Sequence, residues 1–506
     1  MINQAAPLID LSRYVIDESH LLDLVRDLCN MLTAEKINYC HWKSNVSLDR
    51  SARGENDLDL LIARSDAESF NVILYTLGFK EFYTSSENSL PGIRNYYGYD
   101  RKTLRLVHLH AHYQLMIGND FTKSYHLPIE KPYLESAHRE GLFRIPAPEF
   151  ELVVFTIRMM LKHATWDSIL GKQGKLSPSE QQELKYLSIV ASMEKVYKIL
   201  AEYLPVINAD IFDGCLRAIQ SKTRFWFRIR VSQQLLNALR DCNRRTQITD
   251  IFLKGQRRIQ TAFQRRLLKS ISKLRPSNGG MIIAFVGGDG AGKTTSVEHI
   301  EAWLSKHFNT QKIHLGKPTW STTTILVRAM IKIGRIIGFY PFVTISTQEM
   351  LDPKEIKFPG YPWMLREVCT ARDRYLMYHK ARQLASNGRI VICDRFPLKI
   401  IKLMDGLYPV DAIANLFPQK IIVRNLARIV NKYYQSILLP ELLIVLKVDP
   451  DVAVLRKADE DETFVRARSS EIWNSHFRGT KIRVINANQD MQAVLSEIRE
   501  IIWSEI

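Results

Sequence analysis

The chain has 506 residues, of which 46% are apolar and 24% charged, which excludes a broadly disordered protein and is too long for one ordinary core. Its six cysteines are scattered, with no C-x-x-C pair and no Cys/His cluster at zinc-finger spacing, so they read as reduced thiols rather than a disulfide framework. The formal charge of +17 is concentrated between positions 216 and 275, where 16 Lys/Arg face two acids.

The N-terminal stretch mixes Asp10 and Arg13 into a short apolar run and lacks the basic-then-apolar pattern of a signal peptide. The longest apolar candidate, 325–342, is broken by Arg328, Lys332 and Arg335 and is no membrane span. A cytoplasmic protein is expected. Between 18 and 36, Leu21, Leu24, Val25, Leu28 and Leu32 follow a helical period. Strands are predicted at 39–43, 56–62, 80–83, 93–99 and 104–113, with a helix over 66–77 stopped by Gly78. This gives a small α+β domain over 18–147.

Asp57 and Asp59 fall on one face of a strand, because side chains alternate with period two. Two neighbouring carboxylates repel unless a cation lies between them, so the pair suits Mg²⁺ or Mn²⁺ carrying a nucleoside triphosphate; a solvated acidic strand is the other reading. His108, His110 and His112 share a face of a later strand, a spacing open to a metal site; with no second ligand cluster in the sequence beside them, hydrogen-bonded structural histidines are the preferred reading. Lys43-Ser44, the spacer 45–56 and Asp57-Leu58-Asp59 resemble nucleotidyltransferases of the polymerase-beta type, whose pattern is Gly-Ser, about a dozen residues and Asp-x-Asp. That resemblance implies a metal-nucleotide site at Asp57 and Asp59. Lysine stands at the glycine position, and histidines stand where a third carboxylate is wanted, so nucleotide binding without transfer is the expectation.

Positions 148–275 read as a helical, basic connecting region. Arg224-Phe225-Trp226-Phe227-Arg228-Ile229-Arg230 interleaves cations and aromatics, and paired arginines follow at 244–245, 257–258 and 265–266. Such a segment suits nucleic-acid phosphates or an anionic membrane surface; the preferred reading is a helical linker with its aromatics packed on a neighbouring domain. Arg275-Pro276-Ser277-Asn278-Gly279-Gly280 ends it, as proline and paired glycines cannot continue a helix.

Beyond 280, strands are predicted at 281–286, 312–315, 389–393, 442–448 and 481–485 with helices between, an α/β pattern implying a parallel sheet with helices on both faces. The first strand runs into Gly287, Gly288, Asp289, Gly290, Ala291, Gly292, Lys293, Thr294 and Thr295, which satisfies G-x-x-x-x-G-K-[ST]. Glycines there let backbone N–H groups curl around a polyphosphate such as that of ATP, Lys293 reaches the β- and γ-phosphates, and Thr294 offers its hydroxyl to Mg²⁺. Asp394, delivered at the carboxyl end of an apolar strand, is a second candidate holder of Mg²⁺.

With Gly288 to Thr294, Asp394-Arg395-Phe396 and the run 440–456, residues 280–506 resemble thymidylate kinases and related nucleoside monophosphate kinases. The resemblance implies transfer of the γ-phosphoryl of ATP to a nucleotide acceptor. It implies that Asp289 meets the acceptor sugar, that Arg395 holds the acceptor phosphate and that Arg372 lines the acceptor site. With no arginine in the phosphate loop, charge on the moving group falls to a lid whose candidates are Arg456, Lys457, Arg466 and Arg468; a solvated charged helix face is the other reading of these arginines. The resemblance also implies a homodimer. The acceptor region departs from the family pattern: Gly316-Lys317-Pro318-Thr319-Trp320 follows the second strand, 321–363 is a basic-apolar insertion, and Asp405-Gly406-Leu407-Tyr408-Pro409 follows the Asp-Arg motif. Three functions are therefore open: a dTMP kinase-like enzyme, a nucleotidyltransferase with an accessory nucleotide-binding domain, or a nucleotide-switched binding protein.

Overall fold

The computed structural model describes residues 21–84, 90, 92–164, 175–220, 223–263, 273–340, 349, 356–404 and 408–506. Positions 1–20, Arg265, Arg266, most of 341–355 and the 405–407 segment lie outside the described residues. The chain divides into two compact units, Met1–Ser272 and Lys273–Ile506.

In the first unit, β1 (Tyr39–His41), β2 (Leu58–Ile62), β3 (Lys80–Tyr83), β4 (Ile93–Asp100) and β5 (Arg105–His112) lie in the order β1-β2-β5-β4-β3. The β2 and β5 strands run parallel; the other pairs are antiparallel. Alternation splits each strand between two layers. Leu58, Leu60 and Ile62 of β2 join Val107, Leu109 and Ala111 of β5 in a core with the helices Asp23–Ala34 and Ala67–Thr76, which bury residues three and four apart. On the opposite face, Cys40, Trp42 and Leu61 pack with the helix Pro148–Met159 and with later helices as far as Phe225–Ala238. The helical region thus closes one side of the sheet and shares its core. Of the aromatics expected to pack there, Phe227 does so, whereas Trp226 is 77% exposed.

In the second unit, five strands lie in the order Thr310–His314, Ile390–Asp394, Met281–Gly287, Leu442–Lys447, Ile482–Asn486, every adjacent pair parallel. Parallel pairing puts all carboxyl ends on one edge. The register sets Phe285 and His314 beside Asp394 and Gly287 beside Leu446, so the phosphate loop and the Asp394 strand end together. The helix Lys293–Ser305 buries Ser296, Val297, Ile300 and Leu304 on one face, and the helix Tyr361–Ser386 contributes Tyr378, Ala381 and Ala385 to the sheet's core.

All six cysteines are unpaired; Cys29, Cys40, Cys215, Cys369 and Cys393 are buried. Burial pushes the thiols of Cys29, Cys215 and Cys393 up to about 12. No helix among the described residues is long and apolar enough to cross a membrane.

Candidate functional site

The phosphate loop takes a shape that side chains would obstruct. Gly290 and Gly292 have φ of 73° and 77°, and a Cβ on Gly290 would stand 2.9 Å from the Ala453 carbonyl oxygen. Left-handed geometry at Gly292 turns the chain directly into the helix Lys293–Ser305, whose first N–H groups have no intrahelical acceptors and form an anion-binding end. Lys293 is buried, and its Nζ donates to the Gly288 carbonyl at 2.6 Å, folding the ammonium over the loop.

Thr294 follows and donates its hydroxyl to Asp394 Oδ2 at 3.4 Å. Asp394 is 1% exposed, His314 Nε2 lies 3.8 Å from the same oxygen, and Oδ1 is buried without a hydrogen-bond donor. A buried carboxylate oxygen with no donor, next to a threonine hydroxyl at a phosphate loop, is a donor set that fits Mg²⁺. Arg395 holds φ at 66°, uncommon for a residue with a side chain, and lines a cleft with Lys293 and Phe396.

Opposite the loop stands the helix Glu462–Asn474. Arg468 donates to Asp289 Oδ2 at 2.9 Å and stacks on Phe464, while the Ser469 hydroxyl donates to the Asp289 carbonyl at 3.1 Å. Arg456 donates to the carbonyls of Gly290 and Ala487. Burial works against ionisation of Asp289, but Arg468, Lys293 and Arg395 outweigh it and hold the carboxyl below its ordinary range. Four positive groups therefore surround one loop.

Three residues expected at this site point elsewhere, among them Lys457, whose Nζ donates to Glu460 at 2.8 Å. Arg466 is directed to Asp451 and Glu462 on the exposed side of its helix. Arg372 bonds to Ser321, Thr323 and Thr324 at the start of the helix Thr322–Ile336, so it fastens that helix instead of meeting the loop. The buried Arg374, two positions on, holds the Leu315 and Gly316 carbonyls after the second strand. Sequence reasoning overlooked Ser469 and Arg374; a serine beside a lid arginine carries no spacing signal of its own.

In the first unit, Asp57 and Asp59 do share a face, and it is the face of the three histidines. His108 Nδ1 lies 2.9 Å from Asp57, and His110 Nδ1 and His112 Nε2 lie 3.2 and 3.4 Å from Asp59. Lys43 Nζ is 2.8 Å from Asp59. The second ligand cluster absent from the sequence around the histidines is supplied across the sheet by these two acids. Burial pushes His112 down to about 3, whereas Lys43 and the imidazoles hold Asp59 well below the usual range against the effect of burial. Asp59 also lines a cavity of about 430 Å³ together with Lys43, Lys123, Arg158, Lys162 and Glu183.

No family model matches the chain. It is 25% identical over 250 residues to an uncharacterised ATP-binding protein, YghR, of Escherichia coli, an alignment covering 48% of this chain and 94% of that protein. It is 23% identical over 235 residues to the thymidylate kinase of Mycoplasmoides gallisepticum, covering 44% and 94%. A solved thymidylate kinase from Candida albicans aligns at 18% identity with a TM-score of 0.28, over 45% of this chain and 92% of that one. Just under half of the chain is thus similar to an ATP-binding protein and to a kinase.

Proposed function

We propose that residues 273–506 form an ATP-dependent phosphotransferase that moves the γ-phosphoryl group to a nucleoside monophosphate, with dTMP the first acceptor to test. The observation that carries this reading is the gathering of Lys293, Arg395, Arg456 and Arg468 about a loop whose backbone ends in a helix N-terminus. Phosphoryl transfer asks the protein chiefly for positioning and for neutralisation of charge on the moving group. Loop amides and Lys293 grip the donor phosphates; Arg395 orients the acceptor phosphate; Arg468 presents a planar fork able to pair with two phosphate oxygens. Thr294 and Asp394 would hold Mg²⁺, which when bound draws charge from the phosphate oxygens. The similarity to an ATP-binding protein and to a thymidylate kinase supports the donor half of this reading.

The test is to incubate the full-length chain with ATP, Mg²⁺ and a panel of nucleoside monophosphates and to identify products by mass. Lys293→Ala is expected to cut turnover by about 10²-fold or more, the usual effect of removing one preorganised charge-stabilising donor. Undiminished turnover of every accepted monophosphate in that variant would refute the assignment.

A further inference from the structure

The Asp57-x-Asp59 pair, expected to carry Mg²⁺ or Mn²⁺ on a triphosphate, has surroundings that do not suit Mg²⁺. Mg²⁺ prefers octahedral oxygen ligands and keeps several waters. Here each carboxylate faces imidazole nitrogens, and Asp59 is already paired with Lys43. Nitrogen with carboxylate oxygen is the donor mixture of first-row transition ions.

We propose that Asp57, His108 and His110 form a binding site for a divalent transition ion of the zinc type, independent of the phosphate loop. The placement of donors is the first support. His108 Nδ1 stands 2.9 Å from Asp57 Oδ1, and His110 Nδ1 stands 3.8 Å from Asp57 Oδ2. One donor atom from each of the three residues falls within 4.8 Å of the others. Metal–ligand bonds of about 2.0–2.2 Å put neighbouring donors of a tetrahedral or octahedral shell roughly 3–3.5 Å apart, so small side-chain adjustments close the shell.

The second support is rigidity. The β2 and β5 strands pair in parallel with Asp59 opposite His110 and Leu58 opposite Leu109, and Leu58, Val107 and Leu109 anchor the other face of both strands in the core. Tyr97 stacks on the His108 ring at 4.2 Å and 9°, which fixes its plane. His108 and His110 are donors on a packed strand, which holds a site more accurately than a loop does, and Asp57 is the residue immediately before β2.

The third is access combined with a neighbouring carboxylate. The Asp57 side chain is 48% exposed against 16% and 24% for His108 and His110, so solvent reaches the ion from one side. Asp59, tied to Lys43 and His112, lies 3.2 Å from the same His110 nitrogen, so its carboxylate borders the ion as a neighbouring oxygen.

Titration calorimetry of the full-length protein with Zn²⁺, in the presence of millimolar Mg²⁺, tests this directly. One Zn²⁺ per chain is expected. His110→Ala and Asp57→Asn should each weaken binding by roughly 10–100-fold or more, whereas Asp394→Asn should leave it unchanged. Co²⁺ bound to the wild type should give visible absorption that His108→Ala abolishes. A wild-type far-ultraviolet circular dichroism spectrum and an unchanged unfolding transition of the first unit in the absence of metal show that each variant is folded. Zinc affinity that is indifferent to His108 and His110, or that Mg²⁺ removes in competition, would overturn the proposal without touching the kinase reading.

Discussion

Arg466 and Arg468 sit two positions apart on one helix, and at about 3.6 residues per turn that spacing sends them to nearly opposite faces. Arg468 reaches Asp289 at 2.9 Å, and Arg466 is committed to Asp451 and Glu462. Arg468→Ala is therefore expected to lower kcat by about 10²-fold, as for loss of one charge-stabilising donor. Arg466→Ala removes only exposed, solvent-screened ion pairs and should leave stability nearly unchanged and kcat within a few-fold. Steady-state rates and a denaturation curve for both variants decide this; equal losses in kcat would contradict the assignment. Lys293 and Thr294 were legible in the sequence because a phosphate loop fixes its chemistry through local spacing, and Asp394 because an acid ends a continuous apolar strand. The division of labour between Arg466 and Arg468 was not, since it depends on which face of the helix packs on the loop.

Elements carry the site into place, and their ends matter. The helix Glu462–Asn474, which brings Arg468 and Ser469 to the loop, is capped by Asp461, whose side chain accepts from the Phe464 N–H at 3.0 Å. Asp461→Ala should destabilise the second unit by about 1 kcal/mol, the usual loss of an N-cap, and urea unfolding reads it directly. The three central parallel strands were predicted to within one residue because buried strands are continuous apolar runs. One outer strand shifted: the expected 312–315 is Thr310–His314. That strand lies at the sheet's edge, where Thr310 and Gln311 are partly or fully exposed and give no apolar signal. The juxtaposition of β2 and β5 was hidden for a different reason. Asp57 and His108 are 51 positions apart in the chain, and only parallel pairing makes them neighbours.

At the scale of the molecule, each unit has cores of its own. The clusters around the first sheet draw on residues before 273, and those around the parallel sheet and its adjoining helices on residues after it. Two ligands with separate sites should then stabilise separate cooperative units. Scanning calorimetry is expected to show ATP with Mg²⁺ raising one transition and Zn²⁺ raising another, each by about 2.7 kcal/mol when the ligand stands at 100 times its Kd. A single transition moved by both ligands would mean that the units unfold together.

The shielded cysteines give this arrangement an intrinsic reporter. Cys29, Cys40 and Cys215 lie in the first unit and Cys369 and Cys393 in the second, all inaccessible in the native fold. A maleimide pulse reaches them only when the surrounding unit opens, so peptide mass spectrometry of labelled protein times the opening of each half separately, with no engineered probe.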